Sequence, residues 1–336
     1  MIFDTTQKPQ RNTYLDLCKG IAILLVILGH SIQYGMGEGY EGYWENPVFR
    51  FIYSFHMPLF MLISGYLFWY SYYKRGGKAV IINRFKTLLY PILSFEVILC
   101  LIHRFDYGLS FGIISSWHLW FFWAILYATI ASVLMFYAQR RFRIPESLFI
   151  VVVFFSLMCF NDNRILSATK FVFTYFLLGA LACRYPLGNL VKYVGFVSIL
   201  FLILLYFFHQ DCYIYTSGYT IIGEESFQHL LTNIYRFILG LTGSITVLWL
   251  IHLLQNKILC NPHLHRSLVW LGSQTLIIYF FQSLVFYIIP FLHLPFYGIW
   301  QPVVLFIVVT GASVLFIRII HKYKYLSILC LGKVYK

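Results

Sequence analysis

The sequence predicts an all-α integral membrane protein, a bundle of about ten transmembrane helices. Of its 336 residues, 60% are hydrophobic and only 11% are charged, whereas an ordinary soluble domain carries about 25% charged residues. So little charge cannot cover a water-facing surface, which excludes a soluble enzyme. The apolar residues form unbroken stretches, which favours helices over a β-barrel. The net charge of +13 is scattered among these stretches, which excludes a disordered chain and a nucleic-acid-binding protein.

Ten apolar segments are candidates for spanning the membrane. A helix needs about 20 apolar residues to cross the hydrocarbon layer. The fifth and sixth segments have only thirteen residues each, so whether both of them span is left open. In chain order the segments are Leu17–Gly35, Phe49–Tyr70, Leu88–His103, Leu119–Tyr137, Leu148–Phe160, Phe171–Cys183, Tyr193–Phe208, Ile234–Leu254, Thr275–Leu292 and Trp300–Ile320.

The distribution of Lys and Arg predicts the orientation of the chain. Cytoplasmic segments are enriched in these residues, so both termini are predicted to be cytoplasmic. The termini form tails at 1–13 and 322–336 of a single transmembrane domain, 1–336. The first apolar segment lacks a small-x-small cleavage site and is predicted to remain as a helix. With this orientation the inner segments hold 20 of the 25 Lys and Arg residues, and the outer segments hold Arg50, Arg104, Arg164, Lys170 and Arg236.

The seven cysteines give no sign of a metal or redox site. No two of them are spaced as CxxC, and most lie in or beside apolar segments, where thiols act as small hydrophobes. Cys260, His263 and His265 lie together in a predicted inner loop. They lack a fourth ligand for zinc, so we expect no metal site.

Three ionisable residues share one face of the first apolar helix. The eleven residues from Lys19 to His30 make three turns plus about 20°. Asp16 lies one turn before Lys19, where its carboxylate can pair with the ammonium. Ionisable groups inside a bilayer cost roughly 2.5–3.5 kcal/mol each and are usually functional. The stripe therefore predicts a polar path from the cytoplasmic surface to just beyond the membrane centre.

Two further polar residues fall at membrane depth, His56 in the second segment and Glu96 in the third. Because the second helix runs back from outside, His56 is predicted to lie at a depth similar to that of His30. Each of these groups could instead hydrogen-bond a neighbouring helix without a chemical role. Histidine exchanges protons near neutral pH. His30 could deprotonate an attacking hydroxyl or accept an acyl group itself.

Two sequence blocks carry a family resemblance. YLDLCKGIAILLVILGHS (14–31) and SFHMPLFMLISGYLF (54–68) resemble acyltransferase family 3, polytopic bacterial membrane proteins, and in particular its O-acetyltransferases typified by fucose 4-O-acetylase. Lys19 and His30 match the family's signature of a basic residue, ten residues and a histidine, and Asp16 matches the Asp three residues before it. NRFKTLLYP (83–91) and HLWFFWAIL (118–126) are similar to further family segments.

The resemblance implies an O-acyltransferase of the bacterial inner membrane. It would move an acyl group, in the first place acetyl, from cytoplasmic acyl-coenzyme A to a hydroxyl of a cell-surface glycan or lipid-linked sugar. Acyl-coenzyme A would be a co-substrate, with no tightly bound cofactor. His30 would be the general base or acyl carrier, and Lys19 and Asp16 would organise the donor route. The coenzyme A phosphates would meet a basic group on the inner side, which consists of Lys74, Arg75, Lys78, Arg84 and Lys86.

The acceptor would enter from outside and meet His30 and His56, with Glu96 as a further substrate-binding group. Trp117, Trp120 and Trp123 could stack on a sugar ring near that mouth. Tryptophans at this depth serve more often as interfacial anchors.

The ninth segment contains one departure from the family. LGSQTLIIYFFQS (271–283) is similar to a family segment that often ends in histidine. Here that position is Gln282, which we take as substrate-binding. The acceptor or its orientation is therefore predicted to differ from that in relatives.

A non-catalytic transporter or flippase for a glycan or lipid-linked sugar is the alternative. It would also use intramembrane polar groups. The sequence shows no internal repeat and no helix pair broken by proline or glycine, which argues against a transporter. The sequence leaves open the sugar, the acyl group, direct transfer against an acyl-histidine intermediate, and the oligomeric state.

Overall fold

A computed structural model describes residues 12–35, 41–106, 119–160, 164–185, 188–222, 226–289 and 300–331. All regular secondary structure in these ranges is helical, as the continuous apolar segments predict. The α-helices are α1 (Thr13–Gly35), α2 (Pro47–Arg75), α3 (Gly77–Arg84), α4 (Tyr90–Asp106), α5 (Trp120–Phe142), α6 (Glu146–Met158), α7 (Arg164–Arg184), α8 (Val194–Tyr206), α9 (Ile214–Ser217), α10 (Ser226–Leu259), α11 (Pro262–Ser273), α12 (Thr275–Ile288), α13 (Gln301–Lys322) and α14 (Lys324–Leu331).

Each of the ten predicted segments coincides with a helix, but fewer of these helices have the length of a span. Among the described residues, six are long and apolar enough to cross a membrane, namely α1, α2, α5, α7, α10 and α13. The bent pair α11–α12 makes a seventh if it counts as one span. α4, α6 and α8 have 17, 13 and 13 residues. The count of ten and the cytoplasmic location of the termini therefore stay predictions.

The sixth segment is longer than the sequence indicated. It was predicted as Phe171–Cys183, yet α7 has 21 residues. The polar residues Ser167 and Lys170, which precede the apolar run, are 2% and 3% exposed. They lie inside the bundle and continue the helix instead of ending it, so α7 reaches the length of a full span.

A helix and a sharp bend replace the inner loop predicted before the ninth segment. The side chain of Asn261 accepts hydrogen bonds from the backbone N–H groups of His263 and Leu264, and Pro262 occupies the first position of α11, as favoured at helix starts. α11 and α12 then meet at an angle of 75°. The sequence predicts no helix pair broken by proline or glycine, whereas α11 and α12 form a bent pair whose break falls at Gln274, two residues after Gly272.

Backbone contact between α1 and α11 fixes the geometry of this bend. A Cβ atom on Gly20 would collide with the carbonyl oxygen of Leu268, and one on Gly272 would collide with that of Asp16. Small residues allow helices in membranes to approach this closely. The contact holds α11 across the first turns of α1, and the start of α12 follows directly after it.

A second pair of glycines joins α2 to α7. A Cβ on Gly65 would collide with the carbonyl oxygen of Phe176, and one on Gly179 would collide with that of Leu62. This close packing holds α2, the helix that carries His56, in a fixed position against α7.

α1 and α2 are neighbours that run in opposite directions. Tyr53, near the start of α2, donates its hydroxyl hydrogen to Oε1 of Gln33 near the end of α1, at 2.8 Å. At the same end, Gly35 lies against Pro302 at the start of α13. We call the end of the bundle at which α1 begins the inner end, and the opposite one the outer end. The charge bias predicts that the inner end faces the cytoplasm.

Candidate active site

His30 lies in an aromatic setting near the outer end of α1. Its ring makes edge contacts with Tyr34, Tyr53 and Phe286 at centroid distances of 6.3, 6.4 and 5.5 Å. Its buried Nδ1 has no hydrogen-bond partner among the described residues. An unsatisfied buried nitrogen is costly, so this atom is suited to a ligand or a proton.

His56 lies beside the same tyrosine and has a defined tautomer. It is 4% exposed, and its ring centroid is 4.7 Å from that of Tyr53, so Tyr53 joins the two histidines. Nδ1 of His56 is 2.8 Å from the carbonyl oxygen of Ile52. A carbonyl can only accept, so Nδ1 carries the hydrogen and Nε2 presents a lone pair. The arrangement orients His56 as an acceptor of a hydrogen bond.

The Asp16–Lys19 pair that the spacing predicts is present at the inner end of α1. Nζ of Lys19 is 2.7 Å from Oδ1 of Asp16, and their side chains are 19% and 6% exposed. Pairing is what allows a carboxylate to be buried. Asp16 thereby holds the ammonium of Lys19 inside the bundle.

A narrow cavity of about 50 Å³ begins at Lys19. Its lining on α1 extends to Val26, one turn before His30, and its lining on α2 extends to Met57, next to His56. Lys19 and the start of α12 give its inner part a positive character. His30 lies one turn beyond its outer limit. The lining residues are Lys19, Ile23, Val26, Met57, Phe60, Ser64, Phe121, Phe122, Ile125, Thr275, Leu276 and Tyr279.

Gln282 lies on the face of α12 that joins this cavity to His30. It follows Tyr279, which lines the cavity, by three residues and precedes Phe286, which contacts His30, by four, so the three share one face. Gln282 is 0% exposed, and neither polar atom of its side chain has a hydrogen-bond partner among the described residues. Such a buried amide is suited to a bound polar ligand.

Aromatic residues cover the outer side of the histidine pair. Tyr213 lies 5.7 Å from Tyr53 and 4.9 Å from Trp44, measured between ring centroids. Tyr215 lies 5.2 Å from Tyr213 and 6.2 Å from Trp120. Trp120 therefore belongs to the aromatic group that packs against Tyr53, and its role in sugar binding stays a prediction.

The other tryptophans predicted at the mouth are not placed in this group. Trp123 stacks on Tyr127 at 5.6 Å, and Tyr127 is 49% exposed, so this ring contact is on the outside of the bundle. A sugar-binding role for Trp123 stays a prediction. Trp117 lies outside the described residues.

Glu96 is on α4, which packs against α12 through an edge contact of Phe95 with Phe280 at 5.6 Å. Glu96 is not among the residues that line the cavity. Its role in substrate binding stays a prediction.

The five basic residues expected to receive coenzyme A lie close together in the chain at the inner end. Lys74 and Arg75 end α2, and Gly76, with φ of 78°, turns the chain into α3, a conformation that glycine adopts freely. Arg75 follows the cavity residue Ser64 by eleven residues, or three turns plus about 20°, and so lies on the same side of α2 about 16 Å further along. Lys78 and Arg84 lie on α3, and Lys86 lies on the π-helical turn 85–89.

Two cations that the charge count assigned to outer segments are buried inside the bundle. Lys170 and Arg236 are each 3% exposed. Nζ of Lys170 donates to the carbonyl oxygen of Phe160 at 2.9 Å. The guanidinium of Arg236 donates to the carbonyl oxygen of Gly218 and to Oγ of Ser217. Their intramembrane position in apolar sequence was the available signal.

The family assignment comes from comparison with known proteins. The model of the acyltransferase 3 family, described as an acyltransferase domain, matches residues 12–322. The chain belongs to the acyltransferase 3 family. The resemblance seen in the two sequence blocks is thus confirmed, and the described helices include six that are long and apolar enough to cross a membrane.

Two relatives of this acyltransferase 3 protein share parts of the chain. Nodulation protein NolL of Mesorhizobium japonicum is 43% identical over 83 residues, 25% of this chain and 22% of the relative. Nodulation protein NolL of Sinorhizobium fredii is 36% identical over 126 residues, 34% of each chain. The chain therefore matches at most about a third of the length of these relatives. No solved structure matches the chain.

Proposed function

We propose that this protein transfers an acyl group, in the first place acetyl, from acyl-coenzyme A at the inner end to a hydroxyl of a cell-surface or lipid-linked sugar that arrives from the outer end. The observation that carries the proposal is the convergence of His30 and His56 on Tyr53, one turn from a cavity that begins at Lys19. Donor and acceptor would meet at these histidines from opposite ends of the bundle.

In the direct mechanism, the imidazole of His30 removes the proton of the acceptor hydroxyl. The hydroxyl oxygen attacks the thioester carbonyl, the new C–O bond forms and the C–S bond breaks. Coenzyme A leaves as a thiolate and takes the proton from the imidazolium, which restores His30. In the two-step mechanism, His30 first accepts the acyl group and then gives it to the hydroxyl. The unpartnered Nδ1 of His30 supports both.

The tautomer of His56 favours a role in positioning the acceptor over a role in polarising the thioester carbonyl. With Nδ1–H donated to Ile52, Nε2 can accept a hydrogen bond from the acceptor hydroxyl and so position it. Polarising the carbonyl would require a donor at Nε2. Gln282 has the free amide N–H groups for that task, and a positioned donor of this kind lowers the barrier as charge develops on the oxygen.

Binding of the donor distinguishes this proposal from a sugar transporter. We expect acetyl-coenzyme A to stabilise the purified protein against unfolding, by about 2.7 kcal/mol at 100 times its Kd. The measurement is thermal unfolding in detergent with acetyl-coenzyme A, followed by thiol release with a panel of p-nitrophenyl glycosides as acceptors. Lack of both stabilisation and thiol release would contradict the proposal, and glycoside-dependent stabilisation alone would favour the transporter.

A further inference from the structure

The outer segment between α8 and α10 is folded and held in place. It contains a 3-10 turn at Gln210–Cys212, the short helix α9, and Gly218 with φ of 70°. We call residues 209–222 the roof segment. Near its far end, the N–H of Ile221 and the hydroxyl of Thr220 both donate to the carbonyl oxygen of Met158, at 3.0 and 3.3 Å. The roof segment is thereby attached to the carboxyl end of α6.

The roof segment presents two tyrosines toward the histidine pair. Tyr213 contacts Tyr53, the tyrosine that touches both His30 and His56. Tyr215 packs on Tyr213. Burial raises the pKa of both roof hydroxyls, so they stay protonated and able to donate hydrogen bonds. Tyr213 therefore covers one side of Tyr53, the residue whose ring contacts both histidines.

Arg236 attaches the middle of the roof segment to the bundle. Its guanidinium, buried in α10, donates to the carbonyl oxygen of Gly218 and to Oγ of Ser217, which also bonds the carbonyl oxygen of Tyr213 at 3.3 Å. The planar guanidinium can hold two acceptors at once, whereas an ammonium is a point charge with less defined geometry. The bonds of Arg236 therefore fix the turn that directly follows the two tyrosines.

The same part of α10 is packed on the helix that carries His56. A Cβ on Gly240, one turn after Arg236, would crowd Pro58 and the hydroxyl of Tyr175. That hydroxyl lies 3.2 Å from the carbonyl oxygen of Arg236. The roof segment is thus tied, through Arg236, to the rigid packing around α2.

We infer that Arg236 is a positioning residue for the acceptor half of the reaction, because it holds the roof segment so that Tyr213 and Tyr215 shield His30 and His56 and form the outer wall of the acceptor site. The inference rests on the proposed function. Its structural part, the shielding of the histidines, does not depend on turnover.

The first test measures access to the histidines. Diethyl pyrocarbonate modifies neutral imidazoles, and mass spectrometry reads the rate at each histidine. In Arg236→Met we expect modification of His30 and His56 to be about tenfold faster than in the unaltered protein, since local opening of the roof segment becomes easier. Arg236→Lys should lie between the two. Unchanged rates in Arg236→Met would overturn the inference whether or not the protein transfers acyl groups.

Two further variants separate roof opening from misfolding. Ser217→Ala removes one acceptor of Arg236 without changing α10, and we expect a smaller increase in the same direction. Tyr235→Phe removes a neighbouring hydroxyl that donates to the carbonyl oxygen of Leu204 at 2.7 Å, and it should leave both rates unchanged. Equal acceleration in Tyr235→Phe would show general loosening of α10 and would contradict a specific role for Arg236.

The second test is kinetic. With acetyl-coenzyme A and the p-nitrophenyl glycoside that the unaltered protein uses best, Arg236→Met should raise the acceptor KM about tenfold while the KM for acetyl-coenzyme A stays constant. Equal changes in both KM values would reject an acceptor-specific role. A protein with neither stabilisation by acetyl-coenzyme A nor thiol release toward any glycoside would instead refute the proposed function, and the modification rates would still decide the shielding.

Discussion

Replacement of His30 by alanine is expected to lower acyl transfer by about 10²–10⁴-fold, the range for removal of a general acid–base group. The loss should appear in kcat, because His30 lies one turn beyond the cavity that would hold the donor. The measurement is thiol release at saturating acetyl-coenzyme A, together with the Kd of coenzyme A, which should stay within a factor of about three.

Three companion variants make the His30 result specific. His30→Gln keeps a polar side chain among Tyr34, Tyr53 and Phe286, so loss of activity there is not due to a gap in packing. His263→Ala alters an exposed histidine on α11 and should be neutral. If His30→Gln kept full turnover and His56→Ala lost activity, His56 would be the general base instead of His30. Its Nε2 carries the free lone pair.

Replacement of Lys19 by methionine is expected to impair both stability and activity. It leaves the carboxylate of Asp16, 6% exposed, without its ammonium, and breaking a buried pair costs about 3–5 kcal/mol. Because Lys19 retains some exposure, we expect a value near 3 kcal/mol. Chemical unfolding in detergent measures this loss in the free energy of unfolding. The Kd of acetyl-coenzyme A measures how much affinity is lost with the positive charge at the cavity.

The double variant Asp16→Asn with Lys19→Met separates the two roles of Lys19. Neutralising the carboxylate should recover most of the stability but not the affinity for acetyl-coenzyme A. Arg184→Met is the matched control, since it breaks the more exposed pair with Glu146 and should cost about 0–1 kcal/mol with no change in affinity. A double variant with unaltered affinity would reduce Lys19 to a structural residue.

Periodicity was sufficient to predict the stripe on α1. The spacing of Lys19 and His30 depends only on the helix repeat, and the adjacent Asp16 needs only an i, i+3 contact. The sequence also predicts that α1 and α2 pack side by side, because a short connection makes consecutive helices antiparallel neighbours. These are local properties, and the sequence contains them.

The rest of the site depends on contacts between distant parts of the chain. The bend before Thr275 arises where Gly20 and Gly272 allow α1 and α11 to touch, and no single-segment pattern indicates that contact. Arg236 was counted as an outer charge, yet the turn at Ser217–Gly218 lies against it and satisfies it. Gln282 looked like a departure from a family pattern, and only the fold shows that its amide is buried without a partner among the described residues.

A structure of the protein in lipid nanodiscs with a thioether analogue of acetyl-coenzyme A tests the central claim most directly. We predict the pantetheine arm in the cavity that begins at Lys19 and passes Val26 and Met57, with the acyl carbonyl within about 3.5 Å of an imidazole nitrogen of His30. A donor bound away from this cavity, or a carbonyl separated from His30 by intervening side chains, would contradict the claim.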